Sequence, residues 1–130
     1  MLIPLFASMA PFLIWPAELV FPYPYIVEEL VKGLLVFFIL KSPNDTTRIR
    51  LAVLVGLLFA FSESVLYMSN ILLVGTLWTF IERLLLTVPL HVATTLLILF
   101  SGMKKQKFLP LGLIAGMILH YFFNLFVGTL

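Results

Sequence analysis

Three stretches of the chain, residues 51–74, 78–101 and 108–130, are almost unbroken apolar runs, and residues 20–40 are nearly so. Each is close to the ~20 residues that an α-helix needs to cross ~30 Å of hydrocarbon. A shorter apolar segment, residues 2–14, precedes them. Of the 130 residues, 62% are hydrophobic and 11% charged, against about 45–50% and about 25% in a soluble domain. One core of this size cannot absorb that surplus, so it must face lipid. The expected fold is all-α: a polytopic transmembrane helical bundle of about five spans in a single transmembrane domain.

The connections set the expected orientation. Two are basic: Lys41-Ser42-Pro43-Asn44-Asp45-Thr46-Thr47-Arg48-Ile49-Arg50 and Gly102-Met103-Lys104-Lys105-Gln106-Lys107. The stretches near residues 15–25 and 69–78 carry no Lys or Arg. By the positive-inside rule, loops 41–50 and 102–107 are cytoplasmic, the N-terminus inside and the C-terminus outside. The start lacks a basic n-region, and prolines interrupt its apolar run, so it reads as a short first span rather than a cleaved signal. A net charge of +2 is too small to suggest nucleic acid. With no cysteine, thiolate metal sites and thiol nucleophiles are excluded.

The basic loops account for most of the positive charge. Glu28, Glu29, Lys32, Glu63, Glu82, Arg83, His91 and His120 remain within spans, with Asn124 beside them. Ionisable groups at such depth cost a few kcal/mol each and are rare unless they face a cavity or a partner. Counted from the basic-loop ends at about 1.5 Å per residue, Glu28, Glu63 and His120 lie about 18 Å in, and His91 about 16 Å. Four polar residues from four helices share one level, which points to one site. Glu28 and Lys32 share a helical face, as do His120 and Asn124. Gly112 and Gly116 extend the latter stripe and admit a close neighbouring helix. Gly56, Phe59 and Glu63 fall on one side of the third long helix. Glu82 and Arg83 lie nearer the outer surface, where a structural or substrate-gating role suits them.

Two carboxylates and two imidazoles make a hydrolytic set. A glutamate in such a cavity acts as general base toward water. Lys32 fixes the carboxylate, and imidazole N–H groups with the Asn124 amide donate to an oxyanion. The same atoms also compose a zinc site of Glu63, His91 and His120, with Glu28 as base. HExxH is absent, and no Ser-His-Asp relay is visible. Midplane Glu and His also mark proton or cation pathways, although no repeat or visibly broken half-helix of the transporter kind appears.

The assembled residues resemble those of the PrsW-type intramembrane proteases. Glu28-Glu29-Leu30-Val31-Lys32 matches their EExxK motif, and Phe59-Ala60-Phe61-Ser62-Glu63 their FxxxE. The segment from Arg83 to His91 resembles the one bearing their next histidine. His120-Tyr121-Phe122-Phe123-Asn124 resembles the HxxxN shared with the CAAX prenyl endopeptidases, which carry EExxxR and FxxxH instead of the first two motifs. The resemblance spans residues 25–130. It implies an intramembrane endopeptidase cutting membrane-anchored proteins, such as single-span anti-sigma factors, in the plasma membrane of a prokaryote. It also implies that Glu28 or Glu29 activates water, with Glu63 a second carboxylate. His91, His120 and Asn124 then stabilise the transition state, and Lys32 and Arg83 tune the charge. Some members are described as metalloproteases, so a divalent metal such as zinc is a candidate cofactor. The superfamily also holds non-catalytic scaffold and immunity proteins, the alternative class.

Overall fold

The computed structural model describes residues 2–127, giving the helix without the side chains at residues 69–72 and 74. The expected end of the last span, 128–130, lies outside the described residues. Five helices follow one another: α1 (Ile3–Val20), α2 (Pro24–Ile39), α3 (Asp45–Val74), α4 (Leu77–Lys104) and α5 (Leu109–Val127). A short 3-10 turn at Gln106–Phe108 leads into α5. No strand occurs among the described residues, as expected of an all-α membrane bundle.

The first two helices divide the chain differently from the apolar pattern. Helix α1 runs through Trp15-Pro16-Ala17-Glu18 to Val20, well beyond the expected residues 2–14, with Pro11 and Pro16 inside it. It is 18 residues long and apolar enough to span, as are α3, α4 and the α5 segment. Helix α2 is the shorter one, because Pro22 and Pro24 cannot continue α1 and Pro24 is pre-organised to begin a new helix. At 16 residues it covers about 24 Å, short of the ~30 Å hydrocarbon core. Four helices of spanning length and a shorter fifth therefore replace the expected five spans.

The basic connections are also tighter than expected. The Asn44 side chain accepts the Thr47 N–H at 2.8 Å, and Arg48 pairs with Asp45 at 2.8 Å. This cap starts α3 at Asp45, so Arg48 and Arg50 lie in its first turns rather than in a loop.

The short helix is the central one. Helix α2 touches all four others, whereas α1 touches only α2 and α3, and α5 packs on α2 and α4. Its buried face runs through Glu28, Glu29, Lys32, Gly33, Leu35, Val36 and Ile39, while Leu30, Leu34, Phe37 and Phe38 are exposed. The half of the bundle near the basic connections is filled by Leu35, Val36 and Ile39 with Ala7, Ala52, Val55, Ile98 and Leu99. The other half is polar inside and apolar outside, the arrangement that lipid as solvent favours. There the buried residues include Glu28, Glu29, Lys32, Glu63, Thr87, His91, Thr94 and His120, while Leu85, Ile118 and Phe122 are exposed.

Glycines let the helices meet at that level. A Cβ on Gly56 would lie 2.7 Å from the Val92 Cα and 2.9 Å from the His91 carbonyl oxygen, so α3 and α4 touch backbone to backbone beside His91. A Cβ on Gly112 would lie 2.9 Å from the Ile98 Cα, and one on Gly116 would lie 3.1 Å from Glu29 Oε2. The Gly112–Gly116 stripe thus admits α4 at one turn and the α2 carboxylate at the next.

Candidate active site

The close helix contacts bring Glu28, Glu29, Lys32, Glu63, His91 and His120 together. Glu29 is wholly buried and accepts twice through Oε1: from the Lys32 ammonium, and from His120 Nδ1 at 2.9 Å. Lys32, also wholly buried, reaches Thr94 Oγ1 at 2.7 Å and His91 Nδ1 at 3.3 Å. The His91 ring stacks on Phe59 with centroids 5.3 Å apart and meets the edge of His120 at the same spacing. His91 Nε2 lies 2.6 Å from Glu63 Oε2 without the alignment of a straight hydrogen bond. Glu28 Oε2 lies 3.7 Å from His120 Nε2, too far for a hydrogen bond.

A cavity of about 360 Å³ opens beside this set, lined by Glu28, Glu63, Arg83, His91, His120 and Asn124 among others. It is bounded by Pro24 at the start of α2 and Val127 at the end of α5, so it lies toward the end away from the basic connections. Arg83 stands at its rim, with Nη2 3.5 Å from Glu63 Oε1 and its guanidinium over the Tyr67 ring at 4.9 Å. Asn124 lines the wall but is exposed, and no hydrogen bond joins it to the buried set. Glu82 is exposed and lines none of this cavity.

Several residues of this neighbourhood were not anticipated from sequence. Glu18, half-buried near the end of α1, is within electrostatic reach of Glu28, Glu63 and Tyr67. Ending the first apolar segment at Ile14 left it outside a span. Thr94 carries the Lys32 contact, and its only sequence signal is a place one turn after His91. Thr87, one turn before His91, is buried in the cavity wall.

The donor set suits a divalent cation. Glu28, His91 and His120 each offer a ligand atom, all within 4.8 Å of one another. This grouping takes Glu28 where the sequence suggested Glu63, which instead faces His91 and Arg83. Glu28 Oε2, Glu63 Oε2 and His91 Nε2 are buried with no hydrogen-bond partner, a costly condition that a bound cation or polar ligand relieves. Four carboxylates, Glu18, Glu28, Glu29 and Glu63, also face only two cations, Lys32 and Arg83. A dication offsets that excess of negative charge.

Apolar helices of spanning length around a buried carboxylate–imidazole site define an integral membrane protein of the intramembrane-protease class. The chain belongs to the PrsW family: a family model described as PrsW family intramembrane metalloprotease matches residues 19–130. That match covers α2 to α5 and leaves out all but the last two residues of α1. No curated protein and no solved structure shows a significant match to the chain.

Proposed function

We infer that this protein is an intramembrane endopeptidase that hydrolyses a peptide bond in a membrane-anchored substrate, such as a single-span protein of the anti-sigma-factor kind. The observation that carries this reading is the buried Glu28 carboxylate, whose Oε2 has no partner and faces a cavity shared with His91, His120 and Glu63. Glu28 serves as the general base. Its neighbour Glu29 is unsuited to that task, since Lys32 and His120 occupy one oxygen and Gly116 abuts the other. Glu29 instead orients His120.

In the reaction, Glu28 takes a proton from water as the water oxygen bonds to the carbonyl carbon. Ring N–H donation from His91 stabilises the developing oxyanion, and Arg83 and Asn124 at the rim position the peptide. The C–N bond then breaks as Glu28 returns the proton to the leaving nitrogen. Glu28 and His120 would hold a divalent cation, with His91 the third group in reach. The chemistry that such a cation supplies is Lewis-acid activation of water and carbonyl.

The basic connections favour an orientation with both on the cytoplasmic side of a prokaryotic plasma membrane, the cavity opening toward the outer half. The test is cleavage of single-span reporter proteins by the purified protein in lipid vesicles. Wild type cuts and a folded Glu28→Gln variant does not; equal cutting by both refutes the assignment.

A further inference from the structure

The contacts around Lys32 constrain where the protons of both histidines sit. An ammonium has three hydrogens and no lone pair, so each group it meets must accept. Lys32 Nζ meets Glu29 Oε1, Thr94 Oγ1 at 2.7 Å and His91 Nδ1 at 3.3 Å, one acceptor for each hydrogen. Thr94 can accept because its own hydroxyl donates elsewhere, to the His91 carbonyl oxygen at 3.3 Å. A neutral imidazole has one N–H and one lone pair. With Nδ1 accepting from Lys32, the His91 hydrogen sits on Nε2, the atom that faces Glu63 Oε2.

His120 takes the opposite form. Its Nδ1 lies 2.9 Å from Glu29 Oε1, the same oxygen that accepts from Lys32. An ionised carboxylate only accepts, so Nδ1 carries the hydrogen and the Nε2 lone pair is turned toward Glu28. One carboxylate oxygen thereby ties the two arrangements together. Phe59, stacked on the His91 ring at 5.3 Å, holds the plane in which the Lys32 contact is made.

We propose that Lys32, gripped by Thr94, is a positioning residue that holds His91 as an Nε2–H donor and keeps it from ligating metal, leaving His120 as the imidazole that a cation meets. Ligation through His91 Nε2 would require its hydrogen to move to Nδ1, against an ammonium that offers no lone pair in return. The functional consequence rests on the protease reading above; the proton placement does not, and the two fail separately.

The chain has only 2 histidines, so ¹⁵N-histidine labelling of the full protein in lipid nanodiscs reads both rings directly, with His120→Gln assigning them. The expected spectrum shows His91 with a bare Nδ1 and a protonated Nε2, and His120 with the reverse. Added Zn²⁺ moves the His120 Nε2 signal and leaves the His91 Nε2–H in place. Thr94→Ser keeps the pattern, whereas Thr94→Val lets His91 populate both forms. Lys32→Met does the same, and it tightens Zn²⁺ binding by on the order of tenfold because a like charge leaves the site. A protonated Nδ1 on wild-type His91, loss of its Nε2–H on adding Zn²⁺, or an unchanged pattern in Thr94→Val overturns the proposal. The wild-type spectrum and the Thr94 pair decide the matter even if Lys32→Met fails to fold. Loss of reporter cleavage alongside the expected spectrum would refute the protease reading alone.

Discussion

Substituting Gly56 by alanine separates the geometry of the site from the stability of the bundle. The added Cβ would meet the Val92 Cα at 2.7 Å, and the His91 carbonyl oxygen and Val92 nitrogen at 2.9 Å each. These are backbone atoms of α4 and cannot rotate away. Reaching ordinary contact at 3.4 Å requires α3 and α4 to part by at least 0.7 Å (3.4 − 2.7) at the level of His91. The overpacking costs about 1–3 kcal/mol, but alanine regains about 1 kcal/mol of helix propensity over glycine. The net loss of stability is therefore about 0–2 kcal/mol. Catalysis suffers more, because the same shift draws His91 away from Glu63 and Phe59, both on α3. A displacement near 1 Å costs about 100-fold in a positioned reaction, so kcat should fall by about 10- to 100-fold with KM little changed. Gly33→Ala is the control: its Cβ would meet only the Leu113 side-chain tip, at 2.9–3.1 Å, which can move. That variant should keep close to wild-type cleavage. The assays are reporter cleavage in vesicles and thermal unfolding in detergent. Wild-type kcat in a folded Gly56→Ala protein would show that the backbone contact does not position His91.

Glu28→Gln should lower kcat by about 10²–10⁴, the usual share of a general base, and leave unfolding little changed. Glu29→Gln should instead destabilise the protein by about 3–5 kcal/mol, because it strands the buried Lys32 ammonium; equal melting of the two variants would contradict this division of labour. Gly116→Ala places a methyl 3.1 Å from Glu29 Oε2, so it should weaken the His120 contact and show in the His120 ring signals. Elemental analysis and Zn²⁺ titration should find one dication per chain, lost in His120→Ala; undiminished binding in that variant would exclude His120 as a ligand.

Much of the architecture is readable before any coordinates. Apolar runs near twenty residues demand membrane helices, since lipid leaves backbone groups no other partner. The polar residues inside them mark their own depth by simple counting, and Gly112 and Gly116 announce a close approach because no side chain intervenes. Local sequence also fixes a start for α2 at Pro24, although apolar content alone joined residues 20–23 to it and ended the first helix too early. Proline tolerated inside α1, at Pro11 and Pro16, is what hid the length of that helix and with it Glu18.

What only the tertiary structure decides is which partner each buried group takes. Glu28 and Glu29 are adjacent glutamates with the same propensity and hydropathy, about 100° apart on one helix. Their difference arises because α5 presents Gly116 and His120 to one of them and the cavity lies beside the other. Likewise Thr94 carries no catalytic signature in the chain; it matters because the packing of α2 against α4 sets its hydroxyl 2.7 Å from Lys32. Hydropathy specifies the membrane and the depth of each residue, since both depend on composition along a single helix. Hydrogen-bond partners depend on rotation and spacing between helices, which the glycine contacts and the central place of α2 determine together.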